Sequence, residues 1–257
     1  MIMLYFSGTG NSKYIAELFC SCMKANSLSA ESYSIEEKHN FGKLISSSEI
    51  IGFCYPIYGS RVPRIMREFV KTYMEFIKNK KLIIFCTQLI FSGDGARVFT
   101  DMFPKNFIEV IYAEHFFMPN NICNFFLLPT ASKGKIKKYL TRAERKMQFV
   151  CNNIKKRIVK KRGFNFISRI LGLAQGLFMP IIEKKALDSV RVNNDCTQCR
   201  LCVSICPMKN LEYQNGKIVH KHNCTICYRC VNKCPQKAIT VFFHGKVREQ
   251  YKGLETG

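Results

Sequence analysis

The sequence predicts an α/β protein in which a doubly wound parallel five-stranded sheet is followed by a small α+β domain. Three observations support this prediction. Apolar strand segments alternate with helical ones, a glycine- and hydroxyl-rich turn follows the first strand, and eight cysteines recur near the end in two runs of equal spacing. Alternating strands and helices produce a parallel sheet covered on both faces. We place the sheet domain at 1–162, a basic and apolar connector at 163–189, the cysteine-rich domain at 190–242 and a tail at 243–257.

The first strand leads directly into a turn that is suited to binding an anion. Residues 2–6 form a short apolar run, which is typical of a strand buried on both faces. The turn that follows consists of glycines, hydroxyls and an amide, namely Ser7, Gly8, Thr9, Gly10, Asn11 and Ser12. A helix begins after it, so unpaired N–H groups face the turn. A serine N-cap alone would need fewer polar residues. We therefore predict a phosphate site, of neither the P-loop nor the G-x-G-x-x-G type.

The rest of the first domain continues the alternation of strands and helices. Four further strands are predicted at 30–35, 49–59, 81–88 and 107–116, with a helix over 64–77 after the third strand. Ligands of such sheets bind beyond the carboxyl ends of the strands, where the strand order reverses. The loops after strands one, three and four should therefore converge on one site.

Positive charge is concentrated in the segment that joins the two predicted domains. The chain has a formal net charge of +22 at pH 7. Residues 131–191 carry 17 basic and 3 acidic side chains, whereas residues 1–130 carry 13 and 11. An excess of this kind favours acidic partners. We expect redox partner proteins with an acidic docking surface, or peripheral contact with an anionic membrane, and no nucleic acid.

Two helical segments are predicted within this basic region. Residues 132–162 have one apolar stripe, a serine N-cap before it and a glycine after it, and should dock on the sheet. Residues 164–182 form the longest apolar stretch, but Arg169 and Gln175 interrupt it, so we expect it not to cross a bilayer. It either packs between the domains or lies on an anionic membrane. We favour packing, because aliphatic stripes usually bury against protein.

The two cysteine runs share the pattern C-x₂-C-x₂-C-x₃-C-P at an offset of 28 residues. They consist of Cys196, Cys199, Cys202 and Cys206, and of Cys224, Cys227, Cys230 and Cys234. Cysteines three apart on a tight turn point their sulfurs at a common centre and can hold one face of an iron–sulfur cubane. Zinc sites rarely have a third cysteine at this interval. A disulfide framework would imply secretion, which nothing in the chain indicates. Eight thiolates match two [4Fe-4S] clusters, and free thiolates indicate the cytoplasm.

With both motifs in place, the chain resembles bacterial two-cluster ferredoxins that carry an N-terminal flavodoxin-like region. The turn matches the FMN-phosphate loop of flavodoxins, S/T-x-T-G-x-S/T, at Ser7, Thr9, Gly10 and Ser12, and Asn11 also fits. The resemblance implies two [4Fe-4S] clusters and one FMN in an electron-transfer protein of anaerobic metabolism. In two-cluster ferredoxins the fourth ligand of each cluster comes from the other run. On that pattern, one cluster takes Cys196, Cys199, Cys202 and Cys234, and the other takes Cys206, Cys224, Cys227 and Cys230.

In flavodoxins, two further loops hold the flavin ring between them. By position, the first loop corresponds here to Tyr55, Pro56, Ile57, Tyr58 and Gly59, and the second to a stretch containing Thr87, Ser92 and Gly93. We expect Tyr58 to stack on the ring, because an electron-rich aromatic disfavours the reduced, anionic flavin. The alternative is that Tyr55 or Tyr58 simply packs in the core or at its rim.

The function that these features imply is electron relay between the clusters and the flavin. Two alternatives stay open: an FMN-dependent oxidoreductase that acts on a small acceptor with the clusters as its wire, or a cluster-only binding or sensor module with an empty flavin site. The five histidines form no motif with carboxylates, so we assign no catalytic residue and favour an electron carrier.

Overall fold

The computed structural model describes residues 1–91, 93–125 and 127–254, and its N-terminal domain is built on a parallel sheet. The strands are β1 (Ile2–Tyr5), β2 (Glu31–Ser34), β3 (Ile50–Pro56), β4 (Lys81–Gln88), β5 (Glu109–Phe117) and β6 (Lys160–Lys161). Their order is β2-β1-β3-β4-β5-β6, and every neighbouring pair is parallel. The order reverses at β1, so the switch point lies between β1 and β3.

Helices cover both faces of this sheet. They are α1 (Asn11–Ala25), α2 (Phe41–Ser46), α3 (Arg64–Ile77), a 3₁₀ helix (Val98–Met102) and α4 (Lys133–Lys155). Successive residues of β1 enter two different cores, because side chains alternate across a strand. Met3 and Tyr5 pack with α1 and α4, whereas Leu4 packs with α2 and α3. The doubly wound α/β prediction is confirmed.

The sheet has six strands and not the five that we predicted. The predicted helix over 132–162 ends early, because α4 stops at Lys155 and the backbone of Arg157 turns left-handed at φ 56°. The chain then runs parallel to β5, with Lys160 paired to Tyr112. A strand of two residues leaves no periodic pattern in the sequence, so this element was missed.

The predicted apolar stretch at 164–182 forms two helices, α5 (Phe166–Gly176) and α6 (Met179–Leu187). We favoured packing between the domains, and this holds only for α6, where Met179 and Ala186 are buried. On α5 only Gly172 is buried. Within the described part of the chain, one helical segment, 166–187, is long and apolar enough to cross a membrane by length and composition, and 11% of its most apolar window is buried.

The C-terminal domain is a small α+β unit with an internal repeat. Its elements are β7 (Val190–Val192), α7 (Leu201–Ser204), β8 (Leu211–Gln214), β9 (Lys217–His220), α8 (Arg229–Lys233) and β10 (Ile239–Val241). Antiparallel pairs join β7 to β10 and β8 to β9. Left-handed backbone occurs at Gln198, Arg200 and Lys209, and again 28 residues later at Ile226, Tyr228 and Lys237. The two cysteine runs therefore share one backbone conformation.

Candidate functional site

The eight cysteines surround two small cavities in the C-terminal domain, each of about 20 Å³. The first cysteine site contains Cys196, Cys199, Cys202 and Cys234. The second cysteine site contains Cys206, Cys224, Cys227 and Cys230. Each site thus takes three sulfurs from one run and the fourth from the other, which is the grouping inferred from two-cluster ferredoxins.

The backbone between the cysteines explains how three sulfurs reach one centre. In the second run, the residues on either side of Cys227 both have positive φ, 56° at Ile226 and 58° at Tyr228. This local strain tightens the loop and turns its N–H groups inward. The N–H of Ile226 donates to Sγ of Cys224 at 3.4 Å. The first run has the same conformation. The same cysteine spacing therefore occurs with the same left-handed turns in both runs.

A pair of N–H···S hydrogen bonds follows the repeat. Asn210 N donates to Sγ of Cys206 at 3.2 Å, and Ala238 N donates to Sγ of Cys234 at 3.3 Å. Both bonds reach the fourth cysteine of a run from the residue four positions later. Hydrogen bonds to cluster sulfurs are one of the means by which a protein sets the reduction potential of a cluster.

Burial changes the acid–base chemistry of these sulfurs. It raises the pKa of Cys202 and of Cys224 to about 11, and that of Cys227 to about 12. Without a metal these groups are therefore protonated thiols at neutral pH. Binding of an iron cluster releases their protons, because the thiolate is the ligand form.

A cavity of about 300 Å³ with polar and apolar lining lies between the two domains and is called the interdomain cavity here. Its N-terminal wall comes from the carboxyl ends of β1, β3 and β4, as expected for a doubly wound sheet. Its opposite wall comes from α6 and from the C-terminal domain, including Ile226, Tyr228 and Phe243. The volume is at the lower end of the range for small-molecule sites.

Hydroxyl groups form the polar end of this cavity at the start of α1. Ser12 Oγ lies 2.8 Å from Thr87 Oγ1, and Ser7 Oγ accepts a hydrogen bond from Gly10 N at 3.1 Å. Gly10 is the N-cap of α1, and its φ of 103° is a conformation that favours glycine. No acidic side chain lies in the first turn of α1. Hydroxyls and a helix N-terminus whose first turn has no acidic side chain fit a phosphate group.

Tyr58 lies at the boundary of this cavity. Its hydroxyl is buried and, among the described residues, has no hydrogen-bond partner. Burial raises its pKa well above the ordinary value for tyrosine, so the phenol stays neutral. A buried hydroxyl without a partner is costly unless a ligand satisfies it. Together with the phosphate end, this orphaned hydroxyl shows that the residues fit a bound flavin nucleotide.

Most of the flavin-site residues named from the sequence line the interdomain cavity. These are Ser7, Thr9, Asn11, Ser12, Pro56, Ile57, Tyr58, Gly59 and Thr87. Tyr55 does not reach it: its ring stacks on Phe99 and its hydroxyl donates to Gly95 O at 2.9 Å. Gly93 packs instead against Gly172 of α5. Ser92 falls outside the residues that the structure describes.

Several cavity residues were missed by the sequence analysis. Asn120 and Asn121 follow β5, and the rule that ligands bind at carboxyl strand ends would have indicated them. Met179, Tyr228 and Phe243 come from distant parts of the chain. No local pattern in the sequence predicts that they meet the sheet.

Arg229 fixes the C-terminal domain to the turn from Ser7 to Ser12, called the phosphate turn here. Its guanidinium donates to Ser7 O at 2.8 Å and to Gly8 O at 3.0 Å, and forms a two-pronged ion pair with Glu36 at 2.6 and 2.7 Å. Gly8 itself packs so closely that a Cβ would lie 2.5 Å from Cys227 O. The second cysteine site therefore lies directly behind the phosphate turn.

A further cavity of about 280 Å³ adjoins Tyr58. Arg61, Arg64 and Lys184 line it, together with Cys224 of the second cysteine site. Arg61 is paired with Glu183 at 3.3 Å. The surplus of cations makes this cavity suitable for a small anion.

Comparisons with known proteins identify both halves of the chain. A flavodoxin domain model matches residues 2–156, and a 4Fe-4S dicluster domain model matches residues 195–239. No curated protein matches the chain.

Similar solved structures include three flavodoxins. The two-electron reduced flavodoxin of Megasphaera elsdenii is 23% identical, with 45% of this chain and 85% of that chain covered and a TM-score of 0.40. A flavodoxin from the domain Archaea is 14% identical, with 60% and 97% covered and a TM-score of 0.42. Oxidised Flavodoxin 2 of Bacillus cereus is 13% identical, with 60% and 97% covered and a TM-score of 0.37.

Proposed function

This chain belongs to the flavodoxin domain family and carries a C-terminal 4Fe-4S dicluster domain, and we propose that it relays electrons between the two clusters and an FMN. The flavodoxin domain implies FMN, and the dicluster domain implies two [4Fe-4S] clusters. When bound, the clusters exchange single electrons and the flavin exchanges one or two. An electron-transfer protein of this composition has redox partners.

One observation carries the relay proposal: the interdomain cavity and the second cysteine site share a wall. Tyr228 lines both, and its neighbours Ile226 and Cys227 each line one of them. In the relay, Ser7, Thr9 and Ser12 would hold the phosphate group at the N-terminus of α1. The Tyr58 hydroxyl would bond to the nucleotide. What the protein contributes is proximity of the two sites.

The two cysteine sites differ in their access to partners, which supports an order within the relay. Cys199 in the first site is exposed, whereas Cys227 in the second site is buried against the N-terminal domain. We assign the first site to exchange with an external partner and the second to exchange with the flavin. The basic excess of the chain supports an acidic docking surface on that partner. The need for reduced cluster thiolates supports the cytoplasm, a reducing compartment, as the location of this protein.

The test is iron, sulfide and flavin quantification on one anaerobic preparation, followed by rapid-mixing reduction. We expect about eight irons and one FMN per chain, from four thiolates per cubane. After reduction of the clusters by dithionite at limiting concentration, flavin bleaching should follow cluster bleaching in the same molecule. Material that is colourless, that carries zinc, or that binds clusters without flavin would overturn the relay.

The cationic cavity beside Tyr58 favours a second candidate function, reduction of a small anionic acceptor. Its test is turnover with dithionite and a panel of small carboxylates and nitrogen oxyanions. Specific turnover with one acceptor, reduced at least tenfold by Arg64→Gln with cofactor content unchanged, would favour an enzyme. Uniformly slow turnover with every acceptor would favour the carrier.

A further inference from the structure

Helix α5 and the two residues that join it to α6 present an exposed apolar face, called the apolar ridge here. Its main members are Phe166, Ile167, Ile170, Leu173, Leu177 and Phe178, whose exposed fractions range from 49% to 76%. They lie within 13 consecutive residues. Single exposed apolar side chains are ordinary, but a contiguous set of this size marks an interaction surface.

A row of contacts holds the inner side of this ridge against the N-terminal domain. Gly172 packs so closely that a Cβ there would overlap Oδ1 of Asp94. About one turn further along, Gln175 accepts a hydrogen bond from Ser60 Oγ at 2.7 Å, and four residues after it Met179 packs on Gly59.

Two arginines hold the far end of the same segment. Arg67 forms a two-pronged ion pair with Glu183 at 2.8 and 3.1 Å, and Arg61 joins it at 3.3 Å. Because contacts recur from Gly172 to Glu183, the segment lies along the protein surface. It could not extend across a bilayer while these contacts hold.

Basic side chains flank the ridge, and acidic ones are missing from it. Lys160, Lys161 and Arg162 precede it, Arg169 lies within it, and Lys184 and Lys185 follow it. The sequence has no Asp or Glu between Glu144 and Glu183. An apolar face flanked by cations matches the layer of anionic headgroups and acyl chains at a membrane surface. A protein partner would need an apolar groove rimmed with acids.

We propose that the apolar ridge docks this protein on the surface of an anionic lipid bilayer. The apolar side chains of α5 and the loop before α6 enter the headgroup and upper acyl region, and the flanking lysines and arginines contact the anionic headgroups. The proposal does not depend on the relay, because it uses none of the residues assigned to the cofactors.

The experiment is co-sedimentation of the cofactor-loaded protein with phosphatidylcholine vesicles that contain either no or about one-third phosphatidylglycerol. We expect binding to the anionic vesicles that weakens with added salt. Lys184→Gln with Lys185→Gln should weaken it about 25-fold, from about fivefold for each cation. Phe178→Ser should weaken it about tenfold or more, through the lost apolar burial.

The matched control is Phe149→Ser, which removes an equally exposed phenylalanine (72% against 62%) from α4, outside the ridge. It should leave vesicle binding unchanged, and iron and flavin contents should be unchanged in every variant. Failure of the loaded protein to sediment with anionic vesicles, or equal effects of the two phenylalanine variants, would overturn the proposal. So would self-association in solution that Phe178→Ser abolishes, because the ridge would then bind protein. Retention on vesicles at pH 11 carbonate would overturn surface docking in favour of a spanning segment.

A different observation points to a separate metal site on the C-terminal domain. Asp188 follows α6, His220 ends β9 and His222 lies two residues further on, and one ligand atom from each falls within 4.8 Å of the others. His222 Nδ1 contacts Asp188 Oδ1. His220 Nδ1 is buried and, among the described residues, has no hydrogen-bond partner.

The geometry points to a divalent transition-metal site, best suited to Zn²⁺, formed by Asp188, His220 and His222. Two imidazoles and a carboxylate are the donors that zinc accepts with a water in the fourth position. The metal would satisfy the buried nitrogen of His220. It would also fasten the end of α6 to the β8–β9 hairpin.

The test is zinc titration of the cluster-loaded protein against a chromophoric chelator under anaerobic conditions. His222→Gln and Asp188→Asn should each weaken zinc binding at least tenfold. His244→Gln, which changes an exposed histidine elsewhere in the same domain, should leave it unchanged. Equal affinity in wild type and His222→Gln would overturn the site, and so would release of iron on zinc addition, because zinc would then be entering the cysteine sites.

Discussion

The two cysteine sites have the same local structure and different surroundings. Both have the same spacing, the same pattern of left-handed residues and the same N–H···S bond to the fourth cysteine. Yet the position that holds Tyr228 in the second run holds Arg200 in the first. Tyr228 is buried and donates to Val241 O at 3.0 Å, whereas Arg200 is exposed and lies 3.9 Å from the ring centre of Tyr213. The repeat therefore fixes what each site can bind, and the contact with the N-terminal domain separates their roles.

Loss of a ligand cysteine should give the largest effect and separate the two sites. Cys227→Ser and Cys199→Ser should each remove one cluster, about four of eight irons. Only Cys227→Ser should also lower the FMN content, because only that loop contacts the phosphate turn. Iron, sulfide and flavin assays measure both outcomes. Equal loss of flavin in the two variants would contradict the proposal that only the second cysteine site contacts the flavin site.

A side chain at Gly8 should disturb the contact between the phosphate turn and the second cysteine site without changing any ligand cysteine. Gly8→Ala places a methyl group against the backbone of Cys227, with about 2 to 3 kcal/mol lost from the free energy of unfolding through overpacking. Denaturant unfolding of the loaded protein measures this loss. Gly134→Ala on α4, where nothing lies within 4 Å, is the control and should be neutral or slightly stabilising. A neutral Gly8→Ala would show that the domains are less tightly apposed.

Removing Arg229 should weaken the same contact by a smaller amount. Arg229→Ala loses the ion pair with Glu36 and two hydrogen bonds to the phosphate turn, about 2 kcal/mol of the unfolding free energy. It should also slow electron exchange between clusters and flavin, as measured by rapid mixing. Arg200→Ala removes an exposed cation–π contact and should cost about 0.5 to 1 kcal/mol with no change in exchange rate. Equal rates in both variants would contradict the proposed order of sites.

The smallest expected difference concerns how fast each site loses its iron. An iron chelator added to the oxidised protein should remove the first four irons faster than the last four, because Cys199 is exposed and Cys227 is buried. Cys199→Ser, which keeps only the second cluster, should then show the slow phase alone. A single rate for all the iron would mean that both sites open together.

The features that could be predicted from the sequence are those whose geometry is encoded locally. The cysteine spacing and the turn from Ser7 to Ser12 each fix a short loop, so the pattern alone indicated the chemistry. The assignment of tyrosines was harder. Tyr55 lies within β3, where alternation sends it into the core beside Phe99, whereas Tyr58 follows the strand and reaches the cavity.

The features that could not be predicted depend on contacts between distant segments. The strand β6 has two residues and exists only because it pairs with β5. The sequence showed that α5 is apolar, but it gave no information on whether the surface that α5 contacts belongs to this chain or to something else. Phe243 reaches the interdomain cavity because the C-terminal domain folds back on the sheet, which no short stretch of sequence specifies.

One side of helix α6 faces the interdomain cavity and the other faces the outer surface of the protein. Met179 and Ile182 line the interdomain cavity, while Ile181 faces outward beside the apolar ridge. This helix, about 10 Å across, thus forms one wall between the outer surface and the interdomain cavity. A force that presses on or lifts this helix would move that wall and alter the access of solvent and small oxidants to the interdomain cavity. Binding of the protein to a membrane surface would then also change how well the reduced flavin is shielded from oxidants.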